Sequence, residues 1–273
     1  MGLIASEISS FYTQSEEESR LKLGLGPLEF ERNKDLISRY LPAASGTIAD
    51  VGGGPGHYAS WLSTFGHQVV LIDPVAKHIQ QAEKRSKQSK FKFQSFLGEA
   101  RTLPLADQSA DLVILHGPLY HLQKLDERIA ALKEASRVLK PGGTILGFAI
   151  NKAASTVAAL QSGMIHLPEV FDMCKKELLS GEHQPPAAFP GMLAQAFFHS
   201  PSSLLSEFKL AGLHPLALFA VEGMAWMDNK YFESWATPAK RQRLLELLKL
   251  TEADQELLCF SPHMMLAAKA ALI

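Results

Sequence analysis

The chain has 273 residues, 47% of them hydrophobic and 20% charged, which is enough apolar side chain to bury one large core or a core with a cap. A formal net charge of −1, with lysines and arginines dispersed, excludes a global basic field for collecting nucleic acid. Cys174 and Cys259 stand far apart with no Cys-x-x-Cys partner, which excludes a disulfide scaffold or a thiolate zinc site and fits a reducing cytoplasm; no run of about 18 apolar residues is present, so no membrane span is expected.

Residues 1–44 open polar and acidic, and are expected to form an N-terminal helical lid. From Thr47 to Ile150 apolar strands alternate with helical patterns, the signature of a parallel sheet wound with helices. Thr47–Val51 reads as the first strand. The helix behind it carries Tyr58, Trp61, Leu62 and Phe65 on one face. Val69–Ile72 is the second strand, Phe91–Leu97 the third, and Asp111–Leu115, with its unbroken Leu-Val-Ile-Leu, a fourth strand buried on both faces. Asp126 is expected to cap a helix through Ile129, Leu132 and Leu139 that stops at Lys140-Pro141-Gly142-Gly143, and Thr144–Ile150 follows as the fifth strand. Residues 151–200, with Pro168, Pro185, Pro186 and Pro190 among short helical pieces, break the alternation and read as a cap insertion. Ser200-Pro201 then offers an N-cap with proline at the first helical position. Strands at His214–Val221 and His263–Lys269, separated by a helix starting at Thr237-Pro238, complete the pattern. The expectation is an α/β fold: a doubly wound, seven-stranded, mostly parallel sheet with a helical cap, in which residues 45–150 form the ligand-binding core and residues 201–273 return to its sheet.

The most telling stretch is Asp50-Val51-Gly52-Gly53-Gly54-Pro55-Gly56, where a strand meets an acid, a glycine-rich turn and a helix. Glycines there let the backbone approach a ligand closely, and the helix N-terminus points free N–H groups at it. A dinucleotide fingerprint requires glycine at the sixth place from Gly52, but His57 stands there. Asp73 ends the second strand 17 residues after Gly56, where a carboxylate can take both hydroxyls of a ribose, and Pro74 is placed to pack on a nucleobase.

The spacing Asp50-x-Gly52-x-Gly54-x-Gly56 resembles the S-adenosylmethionine loop of class I methyltransferases. Gly98-Glu99-Ala100 is similar to that family's Gly-Asp-Ala, with glutamate replacing aspartate, and Arg137-Val138-Leu139-Lys140-Pro141-Gly142-Gly143 matches its helix-to-strand turn. Outer motifs, among them His116-Gly117-Pro118-Leu119-Tyr120-His121-Leu122 and Ser261-Pro262-His263, resemble a bacterial small-molecule subgroup whose substrates are mostly unassigned. The resemblance implies S-adenosylmethionine as cofactor and S-adenosylhomocysteine as product. It implies that Asp50, Gly52, Gly53, Gly54, Gly56, Asp73, Pro74, Glu99, Ala100 and His116 bind the cofactor: Asp50 near its amino group, Glu99 at the adenine amino group. For His116 two readings stand, a base or a backbone carbonyl for the cofactor's amino group.

The expected reaction is in-line displacement of the methyl group by an oxygen or nitrogen of a small molecule. Alignment alone can supply roughly 7–11 kcal/mol, and a base, where the acceptor must lose a proton, roughly 10²–10⁴-fold. His121 and Tyr120 are the catalytic candidates, and Tyr120, His199, Glu222 and Trp226 the substrate candidates; each also has a plain reading as a capping or packing residue. No cluster at metal-ligand spacing appears, so no metal is expected. The alternatives are methylation of RNA or a protein side chain, and a non-catalytic S-adenosylmethionine-binding module. DNA is not expected, because the Asp/Asn-Pro-Pro-aromatic motif of amino-methylating DNA enzymes is replaced by His116-Gly117-Pro118-Leu119.

Overall fold

A computed structural model describes residues 3–189 and 192–270, so the expected segments 1–44, 151–200 and 201–273 each include a few positions outside the described residues. In chain order the elements are α1 (Ser6–Gln14), α2 (Glu17–Arg20), α3 (Gly26–Ser38), β1 (Thr47–Val51), α4 (His57–Ser63), β2 (Gln68–Asp73), α5 (Ala76–Gln88), β3 (Gln94–Leu97) and β4 (Ala110–Leu115). They continue with α6 (Pro118–His121), α7 (Leu125–Val138), β5 (Leu139–Ile150), α8 (Ala154–Ser162), α9 (Pro168–Ser180), β6 (Glu182–His183), β7 (Ala196–Phe197), α10 (Pro201–Leu210), β8 (Leu213–Ala220), α11 (Tyr231–Ala236), α12 (Pro238–Thr251) and β9 (His263–Ala270).

Seven strands form one sheet in the order β3-β2-β1-β4-β5-β9-β8, with β6 and β7 pairing separately. The five N-terminal strands run parallel and β9 is antiparallel to both β5 and β8. The expected mixed sheet is therefore present. Alternation along the central strands divides the core into two layers. Ala49, Val51, Val113 and Leu115 face Ala131, Leu132, Leu204 and Phe208 of α7 and α10. Ile48, Leu112 and Ile114 face Leu36, Ile37, Leu62, Ile79 and Ala82 of α3, α4 and α5. Strands that alternate between two covering layers read as continuous apolar runs, which is why β4 is unbroken from Leu112 to Leu115.

Apart from one-residue shifts at strand ends, three local details differ from expectation for physical reasons. Lys140-Pro141-Gly142-Gly143 does not precede β5 but bulges within it: Ala110 pairs with Leu139, and Leu112 already with Thr144. β3 begins at Gln94 rather than Phe91, because Phe93 turns inward against α5 and Ser86 closes the approach by bonding both its N–H and its carbonyl. Asp126 sits inside the first turn of α7, where it accepts from the N–H of Glu127 (3.0 Å) and complements the helix dipole, with Lys124 in the capping place. The Ser200 cap is present: its hydroxyl accepts from the Ser203 N–H (3.0 Å), and Ser203 returns the bond. Among the described residues no helix is long and apolar enough to cross a membrane.

Candidate functional site

β1 is followed on one side by β2 and β3, while β4 and β5 build out on the other, so the sheet order reverses between β1 and β4. A crevice opens at the carboxyl ends of strands at such a point. The Gly52 N–H donates to the Ile72 carbonyl (2.7 Å) and the His116 N–H to that of Val51 (2.8 Å), which fixes both strand exits side by side. Gly52 has φ +76°, and a Cβ there would fall 2.0 Å from the His116 carbonyl oxygen. Gly54, at φ +56°, instead has open space over it, with Glu17 Cγ at 4.0 Å as the nearest atom. The two glycines thus do different work: one closes the turn against β4, the other leaves its face clear.

A cavity of about 760 Å³ opens above this turn. Of the residues expected at a cofactor, Gly52, Gly53, Gly54, Asp73, Pro74, Glu99, Ala100 and His116 line it. Asp50 and Gly56 do not. Asp50 is fully buried beneath the loop, and Gly56 starts α4 and packs against Phe93. His116 lies between the rings of Tyr58 and Phe148, stacked at 4.4 Å on both sides, and its Nδ1–H donates to Asp50 Oδ1 (3.1 Å). Among the described residues Asp50 Oδ2 and His116 Nε2 are buried without hydrogen-bond partners, so the floor of the crevice is polar and incompletely satisfied. Asp73 organises the loop: its Oδ2 accepts from the Gly54 N–H (2.9 Å), its Oδ1 from the Val75 N–H (2.9 Å) and from His78 Nδ1 (3.0 Å). Glu99 gives Oε2 to the main-chain N–H and the Nε of Arg101, both at 2.9 Å, which leaves Oε1 for another donor.

Tyr120, His121 and Trp226 line the same cavity; His199 and Glu222 do not. His199 is fully buried, its Nε2–H donates to Glu207 (3.1 Å), and Glu207 also receives Arg128 (2.7 Å). Glu222 stands behind His263, whose Nδ1–H and main-chain N–H it accepts at 2.7 and 3.0 Å. Burial pushes the His121 imidazole down to about 3, so it is neutral at physiological pH and a weak proton acceptor. Its Nε2 sits 2.7 Å from the Tyr12 hydroxyl, which burial keeps protonated. Burial also raises Tyr120 well above its ordinary value.

The N-terminal helices supply site residues that sequence reasoning did not single out. Besides Tyr12, Arg20 donates to Glu29 through both terminal nitrogens (2.6 and 3.0 Å) and through Nε to Glu17 (2.5 Å). Burial opposes ionisation of Glu29, but Arg20 outweighs it and holds the carboxyl at about 2. Burial pushes His263 down as well, yet Glu222 lifts it to about 9. Glu29, Glu222 and His263 offer ligand atoms within 4.8 Å of one another, but Arg20 and His263 already balance the two carboxylates. Lys77 Nζ donates to the Thr13 and Ser15 carbonyls (2.9 and 3.0 Å) and Arg85 pairs with Glu18, so α1 and α2 are tied down over the glycine turn. The sequence signals were an arginine and a glutamate nine positions apart near α3, and a histidine opening β9.

Residues 49–147 match the model of a methyltransferase domain family. The chain is 33% identical over 105 residues to a ubiquinone/menaquinone biosynthesis C-methyltransferase of Rubrivivax gelatinosus, covering 38% of this chain and 39% of that protein. It is 28% identical over 125 residues to a malonyl-[acyl-carrier protein] O-methyltransferase of Methylococcus capsulatus, covering 45% and 44%. The matched stretch thus spans less than half the length of either relative. In structure, the fold resembles a SAM-dependent methyltransferase from Methanosarcina mazei, with TM-score 0.61 at 18% identity over 87% of this chain and 98% of that one. It also resembles a geranyl diphosphate C-methyltransferase from Streptomyces coelicolor, with TM-score 0.57 at 15% identity over 99% and 90%.

Proposed function

We propose, from the match of residues 49–147 to a methyltransferase domain, that the chain catalyses S-adenosylmethionine-dependent methyl transfer to an oxygen or nitrogen of a small molecule. The observation that carries this reading is the glycine turn at the β1–β4 reversal, with Asp50 beneath it and one deep cavity above it. The residues fit the cofactor. Gly54 leaves its face clear, Glu99 keeps one oxygen free, and Asp73 stands at the end of β2 where a ribose is recognised. When bound there, S-adenosylmethionine supplies an electrophilic methyl group on a sulfonium.

Gly52, Gly53 and Gly54 present the loop to the cofactor, Asp73 holds the loop's shape, and Pro74 and Ala100 wall the base. Asp50 and the His116 ring form the polar floor, locked by the Tyr58 and Phe148 rings. Tyr120 and His121 face the acceptor, with Trp226 further along the wall. Neither exchanges a proton readily near neutrality, His121 being held near 3 and Tyr120 well above its usual value, so their role is to orient the acceptor and exclude water. That favours a nucleophile with its lone pair already free, an amine or an ionised oxygen. Transfer to carbon is the second reading, favoured by the likeness to the ubiquinone/menaquinone C-methyltransferase. Residues 1–44 and 151–200 form the lid over the acceptor.

Calorimetric titration with S-adenosylmethionine tests the reading. Saturable binding to the wild type, lost in Asp73→Ala and Gly54→Val, is the expected result. Transfer of labelled methyl to small acceptors then separates an enzyme from a binding module. A folded wild type that binds neither S-adenosylmethionine nor S-adenosylhomocysteine overturns the proposal.

A further inference from the structure

The cavity does not end at the reacting centre. It continues into the cap, where Ile8 of α1, Ala158 of α8, Met164 of the turn after α8, Val170 and Met173 of α9, and Phe198 form its walls. The polar side chains at this end are Ser155, Ser162 and His183. His183 is already committed, with Nδ1 2.6 Å from Glu177 Oε1 and Nε2 3.0 Å from the Leu193 carbonyl oxygen. A polar fragment lodged here would give up water without gaining partners, whereas hydrocarbon gains from leaving water. The two methionines add unbranched, polarizable walls that adapt to an irregular apolar shape.

Tyr120 marks the change of character. Its ring packs with Ala154 and Leu193 against the cluster of Ile150, Ala196 and Phe198. Glu17, Arg20 and Glu29 line the same cavity as Tyr120, with the glycine turn. The cavity is thus polar where the glycine turn and the charged lid residues meet, and apolar from the Tyr120 ring outward.

We propose that the methyl acceptor is an amphiphile, with its polar reacting end at Tyr120 and a hydrocarbon portion lying in the cap between α1, α8 and α9. This rests on the methyl-transfer reading for the identity of the molecule as acceptor; the apolar subsite itself rests on the cavity walls. Ala158 is exposed and Ser155 half-buried along the wall, so a phenylalanine at either occupies the subsite without displacing a packed core residue.

The test titrates the full chain, saturated with S-adenosylhomocysteine, with a series of straight-chain alcohols from hexanol to decanol. In the wild type each two added methylenes are expected to tighten binding by roughly tenfold until the subsite is full. In Ala158→Phe and Ser155→Phe the gain with chain length should shrink while S-adenosylhomocysteine affinity is kept. Binding that ignores chain length, or that grows equally in wild type and both variants, overturns the amphiphile. Failure to bind S-adenosylhomocysteine overturns the methyl-transfer reading instead, and the alcohol series on the ligand-free chain still decides the subsite.

Discussion

Replacing Glu222 with glutamine isolates the electrostatics of the lid-side wall. In the wild type burial disfavours the His263 imidazolium, but Glu222 at 2.7 Å, supported by Glu29, holds it at about 9. In an unfolded chain a histidine titrates near 6.5, so between these values the folded state binds the extra proton. The stabilisation is complete below pH ~6.5 and is lost as pH rises through ~9, amounting to at most about 3 kcal/mol. With glutamine at 222 the largest attraction disappears, burial and Arg20 still oppose the charge, and only Glu29 favours it, so the His263 value falls from about 9 and the loss between pH ~6.5 and ~9 shrinks. His121, held near 3, does not titrate in that window and cannot mimic the effect. Urea unfolding of both proteins across the window, with an NMR titration of the histidine ring protons, reads the effect directly. A wild type whose stability is flat or rises from pH ~6.5 to ~9, or a variant with the same slope, refutes the account.

Arg128 is buried and donates to Glu207 and to the carbonyls of Leu122 and Gln123 (3.0 and 2.8 Å), so Arg128→Met strands a buried carboxylate and should cost about 3–5 kcal/mol by chemical denaturation. Tyr12→Phe removes the 2.7 Å contact with His121; an unfolding free energy lower by about 0.5–1.5 kcal/mol is expected, with methyl transfer reduced more than cofactor binding. Because His121 is neutral throughout the physiological range, any inflection near pH ~7 in kcat/KM should survive His121→Gln, and its disappearance would restore the histidine as a base. Deleting residues 1–26 should impair transfer more than S-adenosylmethionine binding; equal loss of both would count against a lid.

The sheet and the glycine turn were readable because their signals are local. Strand, acid and glycines lie within ten positions, and continuous apolar runs identify strands covered on both faces. β5 was misjudged at its start because Pro141 and Gly142 signal a stop to any local reading, while the pairing with β4 carries the strand across them as a bulge. The wall opposite the turn was hidden for a different reason. Arg20 and Glu29 gain meaning only beside Glu222 and His263, and Tyr12 only beside His121, 109 positions away. A burial-driven shift such as that of His121 depends on what covers the ring, and the covering helix belongs to the far end of the sequence. His199 fell to the same limit: its partner Glu207 also takes Arg128, which makes a promising histidine part of a buried brace between α7 and α10.

The position of β9 has a consequence for how the protein is made. This strand, the last in the described chain, lies between β5 and β8, and β8 has no other neighbour in the sheet. During synthesis both flanking strands must therefore wait. The apolar edge of β5 stays unpaired while more than a hundred further residues leave the ribosome, and β8 emerges with nothing to add to. Open edges of this kind invite pairing with other chains. Chaperone dependence in the cell should accordingly concentrate late in translation, and end when β9 slots in and joins the two.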